Sequence, residues 1–117
     1  MHLIRILLIA SLLLPITAAA KTVTVRGEGN ASCSSWTQEH ALGSNRQRDQ
    51  DSWLLGYVNA TSVMLDIPGI EDVSAPLTNS DLVAWMDRYC TAFPDQVLIR
   101  AADALMWELA RRAVESN

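Results

Sequence analysis

Two cysteines, Cys33 and Cys90, constrain this chain more than any other feature. They follow a segment that reads as an export signal. Arg5 gives a short positive region, residues 6–16 form an apolar run, and Ala18 and Ala20 are small residues placed for cleavage before Lys21. The apolar run falls short of the roughly 20 residues that a membrane span needs. The expectation is a cleaved signal peptide over residues 1–20 and a mature protein in the periplasm of a Gram-negative bacterium, with no stable membrane anchor. Two cysteines in an exported chain are most simply one disulfide. Two free thiols or an intermolecular bond are the alternatives. An internal bridge would close a loop of nearly sixty residues, which the chain-entropy relation values at about 4 kcal/mol.

Residues 21–117 are one small domain. A chain of this size buries only about 60–65% of its unfolded surface and gains much from a covalent link. All thirteen acidic residues follow Ala20, together with eight of the nine basic ones, so the mature charge is near −5. That balance argues against nucleic acid or an anionic membrane as partner. It also makes the chain sensitive to acid, because protonation of carboxylates near pH 4 leaves the arginines unopposed.

Residues 21–31 (K-T-V-T-V-R-G-E-G-N-A) read as an extended arm ending in a glycine turn that lacks phosphate-loop context. The domain proper is 32–117. A first helix over 32–41 starts at Ser32 as cap and puts Cys33, Trp36 and His40 on one face. His40 reads as a satisfied edge residue. Gly43 ends this element. A central helix over 46–66 has a polar start and then a wide apolar face of Trp53, Leu54, Tyr57, Val58, Ala60, Met64 and Leu65. Gly56 inside it suggests close approach of a neighbouring helix. Residues 67–79 form an irregular connection broken by Pro68-Gly69 and Pro76, with Ile70, Val73 and Leu77 tucked onto the core.

A third helix begins at Asn79 or Ser80 as cap. It turns Leu82, Trp85, Met86 and Tyr89 or Cys90 inward, and Asp87 and Arg88 outward. Pro94 fits the first position of a last helix with Leu98, Ala101, Ala102, Leu105 and Leu109 at helical spacing, and Arg111-Arg112 as a solvated end. The fold class is therefore all-α: a small disulfide-linked bundle of about four helices.

Catalytic chemistry finds no constellation. The mature chain has one histidine, and nucleophilic catalysis needs a base and an orienting group beside a Ser or Cys. Glu71 and Asp72 adjoin each other in an exposed loop. No metal cage or cofactor motif is legible, so the expectation is a non-enzymatic protein with no cofactor and no metal.

The order S-C-S-S-W, an apolar helix, a long loop, and then S-D-L-V-A-W-M-D-R-Y-C-T-A-F-P resembles the small periplasmic acid-stress chaperones of the HdeA/HdeB type. The T/S-D-L start and Y-C-x-x-x-P end look like the HdeB branch. The resemblance implies a helical protein with one disulfide, folded near neutral pH and able to pair as a homodimer, and a holdase that captures unfolding proteins in acid. Trp53, Leu54, Tyr57, Val58, Leu82, Trp85 and Met86 are then the candidate client-binding residues, and Cys33–Cys90 the bond that limits expansion. A second likeness, through Gly56-Tyr57 in a helix and a late helix near a proline, is to periplasmic immunity proteins of the Rap1a type, which would block one secreted toxin through a preformed surface.

Overall fold

The structure is a computed structural model that describes Ala19 and residues 21–117. The segment 1–20, read as a signal peptide, otherwise lies outside the described residues. A short 3₁₀ turn, Gly27–Asn30, precedes four α-helices: α1 (Cys33–Leu42), α2 (Asn45–Met64), α3 (Asn79–Ala92) and α4 (Leu98–Glu115). Among the described residues β-pairing is limited to two isolated bridges, Ser32 with Val97 and Ile67 with Ile70. The chain is all-α, and a disulfide joins α1 to α3.

Local signals account for most of the boundaries. Ser32 caps α1 by accepting from the Ser35 N–H at 3.0 Å. Gly43 closes it in the left-handed region at φ 62°, where a β-carbon is disfavoured. The next residue, Ser44, caps α2 through the Gln47 N–H. The α3 cap is neither Asn79 nor Ser80. It is Thr78, which exchanges hydrogen bonds with Asp81 in a capping box: the Asp81 N–H donates to the Thr78 hydroxyl and the Thr78 N–H donates to the Asp81 carboxylate. A reciprocal pair satisfies two orphan N–H groups and so outcompetes a single serine or asparagine cap.

The expectation for Pro94 is also corrected. It lies in a turn, and α4 begins four residues later, at Leu98. The backbone of residues 94–97 is committed elsewhere. Pro94 and Gln96 carbonyls accept from the N–H groups of Ser34 and Cys33, and the Leu98 N–H donates to Ala31. A helical turn there would withdraw those carbonyls from the start of α1.

The core is built from Cys33 and Trp36 of α1, Leu54 and Val58 of α2, Leu82, Met86 and Cys90 of α3, and Leu98, Ala101, Ala102, Leu105, Met106 and Leu109 of α4. Val73 of the connection is buried with them, and Ile70 and Leu77 are packed at its edge. The inward face of α2 is narrower than its apolar residues suggest. Gln50, Leu54, Val58 and Ser62 follow one i+4 row into the core, while Trp53, Tyr57 and Leu65 are half-buried and Ala60 and Met64 are exposed. Gly56 belongs to the solvent side. A β-carbon built there meets nothing within 4 Å, so no close helix approach explains it. The close approach occurs at Gly29, where a β-carbon would stand 2.6 Å from Cζ2 of Trp53.

Candidate functional site

The bundle has two chemically different ends. At one, α1, α3 and α4 are clamped. Cys33 and Cys90 are fully buried and bonded, with Cα atoms 4.7 Å apart. Beside them the Cys33 N–H donates to Gln96 O at 2.7 Å, Ser34 N–H to Pro94 O at 3.0 Å, and Leu98 N–H to Ala31 O at 2.8 Å. The Ser34 hydroxyl also donates to Pro94 O. A covalent bond and a short antiparallel contact thus hold the same three segments.

A polar seam runs outward from the clamp. Trp36 is fully buried, yet its Nε1–H donates to Asp87 at 2.7 Å, satisfying the one polar atom of the indole. Asp87 is exposed, as its helical position suggests, but it also joins α3 to α1. His40 stacks on Trp36 with ring centroids 3.9 Å apart. Its Nε2 lies 2.7 Å from Asp51 of α2, and its Nδ1 lies 2.7 Å from the Trp36 carbonyl. His40 is therefore a satisfied edge residue. Deeper in, the buried Gln50 amide donates to Glu28 and Ser35, each at 3.3 Å, and ties α2 to the 3₁₀ turn and α1. Glu28 is also paired with Arg46 at 3.2 Å. Among the described residues no group of three or more His, Cys, Asp or Glu side chains is arranged to hold a metal. Nor is any helix of those residues long and apolar enough to cross a membrane.

The opposite end consists of the 67–78 connection, the start of α3 and the end of α4. A groove of about 240 Å³ lies between Val73, Pro76 and Leu77 on one side and Leu109, Arg112 and Ala113 on the other. Three carboxylates here are held below their ordinary values by hydrogen bonds. Asp72 accepts from the Ser74 hydroxyl and then from the Ser74 N–H. Asp81 accepts from the Thr78 N–H and is further lowered by the Thr78 hydroxyl. Glu108, brought down to about 2, accepts from Arg111 and then Arg112. Each is followed in the chain by a buried apolar residue: Asp72 by Val73, Asp81 by Leu82, Glu108 by Leu109.

The sequence-derived client-binding residues divide between two environments. Leu54, Val58, Leu82 and Met86 are core residues, and Trp53, Tyr57 and Trp85 lie half-buried around it. In the folded protein four of the seven are withdrawn from solvent. Tyr57 is further fixed by donating its hydroxyl to Asp103 of α4, and burial, followed by that carboxylate, pushes its pKa up to about 12. The apolar side chains that do reach solvent include Val63 and Met64 of α2 and Trp107 of α4. Sequence reasoning passed over Trp107, although its position two residues after the buried Leu105 and two before the buried Leu109 places it on the far side of α4. Gln50 was passed over too, and its i+4 relation to Leu54 and Val58 was the available signal.

The fold and these contacts define a disulfide-clamped four-helix protein. No protein-family model, curated protein or solved structure matches the chain.

Proposed function

We propose that this protein is an exported, acid-responsive holdase: folded near neutral pH, loosened in acid, and binding unfolding proteins through the apolar residues so released. The observation that carries the reading is the adjacency of the three hydrogen-bonded carboxylates to buried apolar residues at one end, with the disulfide at the other. Asp72, Asp81 and Glu108 have folded-state pKa values below their unfolded ones. Their contribution to stability is present above the ordinary carboxylate range near pH 4 and is lost as pH falls through the lowered values. Protonation weakens the carboxylate half of the α3 capping box, the turn contact beside Val73, and the acceptor that Arg111 and Arg112 share. Leu82, Trp85 and Met86 lie on the helix whose start is loosened by the first of these events. The intact Cys33–Cys90 bond keeps α1 and α3 joined, so the chain opens without fully unfolding.

The test is suppression of aggregation of an acid-labile client enzyme between pH 2 and 5. Protection that appears as pH falls supports the reading, and no protection at any pH refutes it. A parallel capture experiment at pH 7 and pH 3 separates it from toxin immunity. Many proteins retained only in acid fit a holdase, whereas one protein retained at neutral pH fits the immunity reading.

A further inference from the structure

The fold sorts the sulfur atoms of this chain sharply. Cys33 and Cys90 are fully buried and bonded to each other, so neither offers a thiol. Met86 is wholly buried on the inward face of α3, and Met106 is 5% exposed on the inward face of α4. Met64 is 84% exposed. The reason is rotational. The inward row of α2 ends at Ser62, and two further residues carry the helix about 200° round, to the solvent side. Met64 is also the last residue of α2, beside the Leu65 N–H that closes the helix on Thr61 O. Among the described residues it is the one methionine whose side chain stands in water.

A thioether carries no proton to lose, so its sulfur lone pair is available at neutral pH to any oxidant that can reach it. With a peroxide, the lone pair attacks one oxygen, the O–O bond breaks, and the second oxygen leaves as water. The sulfur is oxidised by two electrons and the peroxide is reduced by two. The product, methionine sulfoxide, is polar and chiral. In the core it would place an unpaired polar oxygen among apolar side chains, which is costly. At position 64 the new oxygen is hydrated, and the side chain held no packing to lose. An exposed helix end also leaves room for a reductase to enclose the oxidised side chain, which burial denies at Met86 and Met106.

We propose that Met64 is a reversible oxidation site of the folded protein: it takes an oxygen atom from peroxide while burial spares Met86 and Met106, and a thiol-dependent methionine sulfoxide reductase returns it to the thioether. In the return step the sulfoxide oxygen leaves as water and two thiols of the reductase become a disulfide. Each cycle consumes one peroxide without disturbing the core or the Cys33–Cys90 bond. The proposal concerns the folded state at neutral pH and is independent of the acid-response reading.

The test is a time course of the disulfide-bonded protein in hydrogen peroxide at pH 7, read by fragmentation mass spectrometry at positions 64, 86 and 106. In the folded protein Met64 should gain one oxygen at least about tenfold faster than Met86 or Met106. In urea the three should react at similar rates. Full conversion of Met64 should leave the helical circular dichroism unchanged and move the thermal midpoint by less than about 4 °C. Methionine sulfoxide reductases acting on both sulfoxide epimers should then remove the added oxygen. Met64→Leu, given the dose that converts the wild type, should show no oxygen at Met86 or Met106. Oxidation of either core methionine as fast as Met64, a larger fall in the midpoint, or a sulfoxide at 64 that the reductases leave in place would each overturn the proposal.

Discussion

Removing the Cys33–Cys90 bond should cost the domain most of its stability without changing its architecture. The two cysteines are 57 residues apart. Releasing a loop of that length restores about 14 cal/mol/K of chain entropy to the unfolded state, or about 4 kcal/mol at 25 °C. Domains of this size are stable by roughly 5–15 kcal/mol, with small ones toward the lower limit. In the native state the Cys33–Gln96, Ser34–Pro94 and Leu98–Ala31 backbone hydrogen bonds still hold the segments together. The loss should therefore fall mainly on the unfolded side. The assay is urea unfolding of the oxidised protein, the same protein with reductant, and the Cys33→Ala/Cys90→Ala variant. The expected result is a loss of about 4 kcal/mol, with an increased m-value as the unlinked chain expands. The corresponding fall in melting temperature is roughly 20 °C. A loss below about 1 kcal/mol with an unchanged m-value would refute the loop-closure argument and show that the backbone contacts alone set the clamp.

Two glycine-to-alanine changes should have opposite signs in the same unfolding assay. Gly56→Ala should stabilise by about 0.5–1 kcal/mol, because the site is helical, solvent-facing and unobstructed. Gly29→Ala should destabilise by about 1–3 kcal/mol, because the new methyl group would collide with the Trp53 indole. Trp36→Phe should cost about 1–2 kcal/mol by removing the Nε1–H bond to Asp87 from a buried ring, measurable by the same melts. Asp81→Asn should flatten the fall in stability on acidification below about pH 4, since the wild-type carboxylate stabilises only while ionised. A pH series of thermal midpoints for both proteins checks this, and parallel curves would remove Asp81 from the acid response.

The legible part of this protein was local. Ser32, Gly43 and the i, i+3, i+4 pattern of α4 announce their roles within a few residues, because capping and helical periodicity are short-range effects. The errors arose where a distant partner changed the outcome. Pro94 reads as a helix start, and its segment instead pairs with residues 31–34, some sixty positions away. Gly56 reads as a packing glycine, while the packing glycine is Gly29, identified only by the position of Trp53. The carboxylates at 72, 81 and 108 take their donors from two to four residues away, so only their gathering at one end of the bundle depends on distant contacts. The capping box at Thr78 and Asp81 could have been read from its three-residue spacing.

Taken alone, the amino-acid sequence determined the helical class and the approximate extent of four helices, and made one internal disulfide the simplest state of two cysteines in an exported chain. These follow from periodicity, caps and cysteine count, all properties of the covalent chain. The tertiary structure decided which end of the bundle is covalently clamped and where the locally bonded carboxylates fall relative to it. It also decided which apolar residues remain outside. Those features depend on the rotation of each helix about its axis and on contacts between residues tens of positions apart, where burial and hydrogen-bond partners are settled by packing.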